Sequence, residues 1–158
     1  RLDDGVLGMD FPALPTNVAS VSPLLIEGLG GYPSEVRTAG DCLCVFDFEE
    51  IVRELQPDFR QLERLPFRGI IATAPADNGK ADFVSRFFAP SAGVDEDPVT
   101  GSAHCILAPF WAKRLGKERM EARQISRRGG RLVCEVRGDR VVIEGTAVTY
   151  LRGEVDLG

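Results

Sequence analysis

The chain has no long apolar run. None of its hydrophobic stretches reaches the ~18 residues that a membrane-spanning helix needs, and its start at Arg1 lacks the basic-then-apolar pattern of a secretion signal. It has no internal repeat, no heptad run and no low-complexity linker, which sets aside solenoids and coiled coils. Excess positive charge is also missing. The net charge is −5, so broad attraction to nucleic acid or to an acidic membrane is not expected. No lysine follows a glycine-rich loop in the way a phosphate-cradling NTPase requires. The run Gly28-Leu29-Gly30-Gly31 follows a helical pattern rather than a strand, so it reads as a helix end. The chain thus reads as a cytoplasmic protein without nucleic-acid or membrane partners.

Cysteine and histidine are also scarce. The four cysteines, Cys42, Cys44, Cys105 and Cys134, contain no Cys-x-x-Cys pair. A site joining cysteines to His104, the only histidine, lacks the usual ligand spacing of a metal centre, so no metal is expected. Cys42 and Cys44 alternate on one strand and point to the same face. Buried reduced thiols acting as small apolar residues account for all four, and a reducing compartment leaves no place for structural disulfides.

What the chain does contain is ordinary globular material, 44% hydrophobic and 27% charged over 158 residues, enough for one domain with a substantial core. A first strand runs from Gly5 to Phe11 and closes at Pro12 and Pro15. Ser22 and Pro23 supply an N-cap and a first helical position for a helix through Leu29 that stops at Gly30-Gly31. Strands are expected at 35–39 and 42–46 around the turn Gly40-Asp41. Asp47 and Glu50 then read as a capping pair for a helix from Glu49 to Gln56, and Pro57-Asp58 opens a short helix through Leu65. Gly69 to Ala74 is a buried-type strand, Asn78-Gly79 a turn, and Asp82 to Phe88 another strand. Four more strands are expected at 121–126, 131–137, 140–144 and 146–152, with hairpin turns at Gly129-Gly130 and Gly138-Asp139. The basic stretch Arg127 to Arg131 is the tip of such a hairpin.

Between these strands lies one hydrophobic helix, about 101–115. Ala103, Cys105, Ile106, Leu107, Ala108, Phe110, Trp111, Ala112 and Leu115 cover most of its circumference, so it belongs inside the protein. Pro109 lies well past the first turn and should kink it or force a local readjustment. Lys113, Arg114 and Gly116 end it favourably. The fold class is α+β: a mostly antiparallel sheet of about seven short strands with one helix to bury.

The chemistry concentrates where the loop enters that helix. Glu96-Asp97-Pro98-Val99-Thr100-Gly101-Ser102-Ala103-His104 puts carboxylates, two hydroxyls, a glycine and the histidine within nine residues. Free N–H groups at a helix start can hold an anion, and a carboxylate beside them can move a proton. Pro98 biases Asp97 toward an extended backbone, which suits a side chain projected into a cleft. Taken alone, Asp97 would equally serve as a solvated or capping loop acid. Thr100 could be a substrate contact or simply the helix N-cap. His104 is the only residue whose unperturbed pKa lies near neutrality, yet in the first turn of a buried helix a neutral, hydrogen-bonded role is the commoner outcome. Arg86 either supports the acids of the motif or forms a strand-face ion pair, and Glu96 reads as an exposed or ion-paired neighbour.

This string, with Ser85-Arg86-Phe87-Phe88-Ala89-Pro90 before it, Phe110-Trp111 and Leu115-Gly116-Lys117 after it, Ser126 to Gly130 further on and Met9-Asp10-Phe11-Pro12-Ala13 near the start, resembles the phenazine-biosynthesis PhzF-like family over almost the whole chain. The resemblance implies a diaminopimelate epimerase-like lobe, in which a curved, mostly antiparallel sheet wraps around a central buried helix, here about 101–115. It also implies isomerase activity by cofactor-free proton transfer on a small carboxylate-bearing molecule. Asp97 matches an active-site carboxylate and Ser102 a polar substrate contact. Gly101, Ser102 and Ala103 would offer amides to the substrate carboxylate, with Thr100 beside them. Family members carry two such lobes and hold their catalytic glutamate in the N-terminal one. Residues 1–158 therefore read as a single C-terminal lobe supplying half of an inter-lobe site, with the other lobe in cis or in trans and a homodimer compatible with either. A non-catalytic small-molecule-binding or protein-interaction lobe is the alternative.

Overall fold

In a computed structural model, residues 6–77 and 79–156 are described. The elements run β1 (Leu7–Pro12), β2 (Asn17–Val18), α1 (Pro23–Leu29), β3 (Glu35–Ala39), β4 (Asp41–Val45), α2 (Glu49–Glu54), α3 (Phe59–Leu62), β5 (Ile70–Pro75), β6 (Phe83–Ala89), β7 (Val94–Asp97), α4 (Gly101–Leu115), β8 (Arg119–Gln124), β9 (Gly130–Arg137) and β10 (Arg140–Gly145). Gly5, where the first strand was expected to begin, and Asn78 of the expected turn lie outside the described residues.

The strands form one sheet in the order β1-β10-β9-β8-β6-β5-β4-β3-β2, with β7 attached to β6. Most neighbours are antiparallel, as expected, but β4–β5 and β6–β8 are parallel, so the sheet is mixed. Each parallel pair needs a crossover. α2 and α3 supply one and α4 the other, so the hydrophobic helix is itself a sheet connection.

Strand alternation divides the interior into two layers. On β4, Leu43 and Val45 join the core built on α4, whereas Cys42, Cys44 and, just past the strand, Phe46 join a second core with Leu25, Leu29, Val52 and Leu62 from the shorter helices. The Cys42 and Cys44 sulfurs are 3.8 Å apart on that second face, and all four cysteines are free thiols. The sheet bends around α4. The helix packs on β8, β9 and β10, while Trp111 Nε1 donates to Thr73 Oγ1 on β5 at 3.0 Å and the Phe110 ring lies under Arg37 of β3. Adjacent strands are ~4.8 Å apart, so a helix ~10 Å across could not reach both ends of a flat sheet.

Local signals account for most helix ends. Ser22 Oγ accepts from Leu25 N at 3.2 Å, Pro23 opens α1, and Gly30 closes it in the left-handed conformation at φ 69°. Asp58 caps α3 by accepting from Arg60 and Gln61 amides. The capping pair expected from Asp47 and Glu50 is not formed. Phe48 occupies the N-cap without a side-chain bond, and α2 ends at Glu54 rather than Gln56. The neighbouring Glu49 instead turns inward, pairing with Arg53 and accepting from Asp77 N at 3.1 Å.

Pro109 does not break α4, which runs continuously to Leu115 and the Gly116 cap. A proline at 109 cannot donate to the carbonyl four residues back, on Cys105. Leu14 N takes that acceptor at 2.9 Å, so the segment after β1 replaces the missing helical donor.

One strand expectation fails, and two strands form where none was expected. Residues 146–152 are exposed and unpaired, because β1 occupies the outer edge of β10 that a following strand would have used. β2 is only two residues long. β7 consists of Val-Asp-Glu-Asp, a poor strand sequence held in place by pairing with β6. Ten strands are thus present among the described residues, against about seven expected.

Candidate functional site

The site lies where two strands share one edge of β6. β8 pairs with its first half, where Ser85 faces Gln124. β7 pairs with its second half, where Phe87 faces Asp97. Both strands end at this fork, and Thr100 at the start of α4 sits against it.

Gln124 bridges the gap. Its buried side chain accepts from Thr100 N at 2.8 Å through Oε1, and through Nε2 it donates to Asp97 O at 2.6 Å and to Thr100 Oγ1 at 3.1 Å. The Thr100 hydroxyl in turn donates to Asp97 Oδ2. Asp97 is half-buried, and its Oδ1 has no partner among the described residues. Beneath the loop, Ser126 Oγ donates to Pro98 O at 2.8 Å. Val99 packs so closely on Gly130 that a Cβ there would lie 2.1 Å from Val99 Cγ2.

Thr100 is the N-cap of α4, as one of its two readings required, but its side chain caps no amide of the helix. The Thr100 N–H is satisfied by Gln124, which leaves the first-turn amides of Gly101, Ser102 and Ala103 without intrahelical acceptors. A Cβ at Gly101 would meet nothing within 4 Å, so the approach to that turn is open. Ser102 is exposed, whereas the Ala103 side chain is buried in the core.

Arg68 stands beside this turn. Its Nη2 donates to Ser102 Oγ at 3.2 Å, while the guanidinium pairs with the buried carboxylate of Asp41 and lies 5.7 Å from the centre of the Phe87 ring. Neither Arg68 nor Gln124 belongs to the motif, and no local pattern marks them. Arg68 comes from just before β5 and Gln124 from the last position of β8, both remote from the motif in sequence.

His104 is fully buried. Its Nδ1 lies 2.8 Å from Thr100 O, its Nε2 has no partner among the described residues, and its ring tilts against Phe83. Burial pushes its pKa down from 6.5 to about 4, although the Thr100 carbonyl favours the charged form. It is therefore neutral at physiological pH. Arg86 forms two hydrogen bonds to Glu96, at 2.7 and 3.0 Å, and donates to the carbonyls of Val52 and Leu55 at the end of α2. It holds the acid next to Asp97 rather than Asp97 itself.

An α+β fold with a strand-fork carboxylate beside the uncapped start of a buried helix is the class that this architecture defines. The profile of the phenazine biosynthesis-like (PhzC–PhzF) family matches residues 14–153, and the chain belongs to that family. Two Pseudomonas aeruginosa proteins, each named an uncharacterized isomerase, are 48% and 50% identical to it over 157 residues. They are covered over 60% and 59% of their own length, and 99% and 98% of this chain is matched. A mouse phenazine biosynthesis-like domain-containing protein is 37% identical across 97% of this chain and 59% of its own length. The crystal structure of a PhzF family protein from Enterococcus faecalis superposes with a TM-score of 0.91 at 39% identity, over 99% of this chain and 60% of that one. This chain therefore spans about three-fifths of the length of these relatives.

Proposed function

We propose that this chain forms a diaminopimelate epimerase-like lobe and supplies one side of the active site of a cytoplasmic isomerase. The reaction is proton transfer on a small carboxylate-bearing metabolite. The remaining groups come from the part of the longer relatives that this chain does not match. The observation that carries the reading is the asymmetry of Asp97: one carboxylate oxygen is occupied by the Thr100 hydroxyl and the other has no partner among the described residues, beside the open first turn of α4. The isomerase names of the Pseudomonas relatives point the same way.

The parts divide the work. The amides of Gly101, Ser102 and Ala103, at the positive end of the α4 dipole, hold the substrate carboxylate, and the Ser102 hydroxyl and Arg68 guanidinium add donors there. This anchoring sets the adjacent C–H near a carboxylate. Asp97 Oδ1 exchanges the proton at one face of the reacting carbon, and a second acid from outside this chain acts on the other. His104 serves the fold, because a fully buried neutral imidazole bonded to Thr100 O has no route to substrate.

The test joins this chain to the N-terminal portion of a longer relative and follows proton–deuterium exchange by NMR on a panel of small amino, hydroxy and unsaturated carboxylates. Asp97→Asn should lower exchange by ~10²-fold or more, while stability changes by less than about 1 kcal/mol because no buried methylene is removed. Exchange that survives Asp97→Asn would sink the assignment. Carboxylates that bind without exchange in the unaltered protein would favour a non-catalytic binding lobe.

A further inference from the structure

We propose that Gln124 is a positioning residue that fixes the Asp97 carboxylate with one oxygen bonded and the other left open. The inference rests on the proton-transfer reading of Asp97 and adds a residue to it. Gln124 is the last residue of β8 and Asp97 the last of β7, so the two chain ends face each other across the fork on β6. A buried glutamine needs partners for both halves of its amide, and here each half has a specific one.

The orientation of that amide follows from chemistry alone. Thr100 N–H can only donate, so the atom 2.8 Å from it must be the side-chain oxygen. The nitrogen then faces Asp97 O, which can only accept, at 2.6 Å. The same nitrogen lies 3.1 Å from Thr100 Oγ1. With an acceptor site of that hydroxyl used by Gln124, its proton is directed to Asp97 Oδ2. The relay Gln124 to Thr100 to Asp97 thus occupies Oδ2 and leaves Oδ1 as the oxygen without a partner among the described residues. Gln124 also holds the backbone on both sides of Pro98, at Asp97 and at Thr100, fixing the loop that carries the acid.

A glutamate at 124 could accept from Thr100 N but could not donate to Asp97 O or Thr100 Oγ1. A methionine of similar shape would do neither. Thr100→Val removes only the relay hydroxyl and keeps the branched shape.

The experiment uses the joined protein described above. In Gln124→Met and in Thr100→Val, exchange on the panel carboxylates should fall at least tenfold while the half-saturating concentration stays unchanged. Placed on Asp97→Asn, neither substitution should lower exchange further, because both act through Asp97. Independently of any substrate, three-bond NMR couplings of the Asp97 side chain should show one rotamer in the unaltered protein and rotamer averaging in both variants. A single Asp97 rotamer in Thr100→Val overturns the relay, even where Gln124→Met fails to fold. A further fall on Asp97→Asn overturns it as well. If no panel carboxylate exchanges but the couplings still change, the proposed reaction fails and the positioning role stands.

Discussion

His104 makes folding stability depend on pH in a window where no other histidine interferes, because it is the only one in the chain. In the unfolded chain its imidazole binds a proton near 6.5, whereas in the folded protein burial delays protonation to about 4. The folded pKa is the lower one, so the unfolded state binds more protons between these values. Stability is therefore full above 6.5 and is lost as pH falls toward 4. The loss should reach about 2 kcal/mol between roughly pH 7.5 and 5, and level off near about 3 kcal/mol below pH 4. The lower end of the assay belongs near pH 5. Burial raises the Glu35 carboxyl but Arg37 and Arg114 together outweigh it, and Arg119 lowers Glu144, so both lie below their ordinary 4.5 and their contribution is lost only in more acid solution. Urea unfolding at a series of pH values measures the slope. His104→Asn, which retains an N–H to offer Thr100 O, should be less stable at neutral pH but nearly flat across the window. Equal slopes for the two proteins would refute the desolvation argument.

Other outcomes follow from packing and pairing. Gly130→Ala forces a Cβ to within 2.1 Å of Val99 Cγ2 and should cost about 1–3 kcal/mol. Val99→Ala in the same chain should recover part of that loss in thermal melts, whereas additive losses would contradict the contact. Arg86→Met strands the largely buried Glu96 carboxylate and the carbonyls of Val52 and Leu55, and urea unfolding should show a loss of about 3 kcal/mol. The 158-residue chain alone should show little exchange on the carboxylate panel and gain it when the N-terminal portion of a relative is supplied; full activity of the chain by itself would overturn the divided-site view.

Much of the structure was legible in the residues themselves. Ser22, Pro23 and Gly30 set the ends of α1, and Asp58 sets the start of α3, because caps act between residues two to four apart. The apolar circumference from Ala103 to Trp111 required a buried helix, and the motif from Glu96 to His104 located the candidate site and the family. These signals are local, so the order of residues suffices to carry them. Tertiary structure decided the rest. An acidic tetrapeptide became β7 only because half of one edge of β6 was open to it. The stretch 146–152 stayed unpaired because β1 had taken the edge beside β10. Pro109 is tolerated because Leu14, far away in sequence, donates to the carbonyl that it leaves free. Gln124 and Arg68 reach the site from 27 and 34 residues away, bonded to Asp97 and Ser102. Hydrogen-bonding groups that a local segment leaves open are completed by whichever strand or side chain the fold brings near, and that choice belongs to the packed sheet rather than to any stretch of sequence.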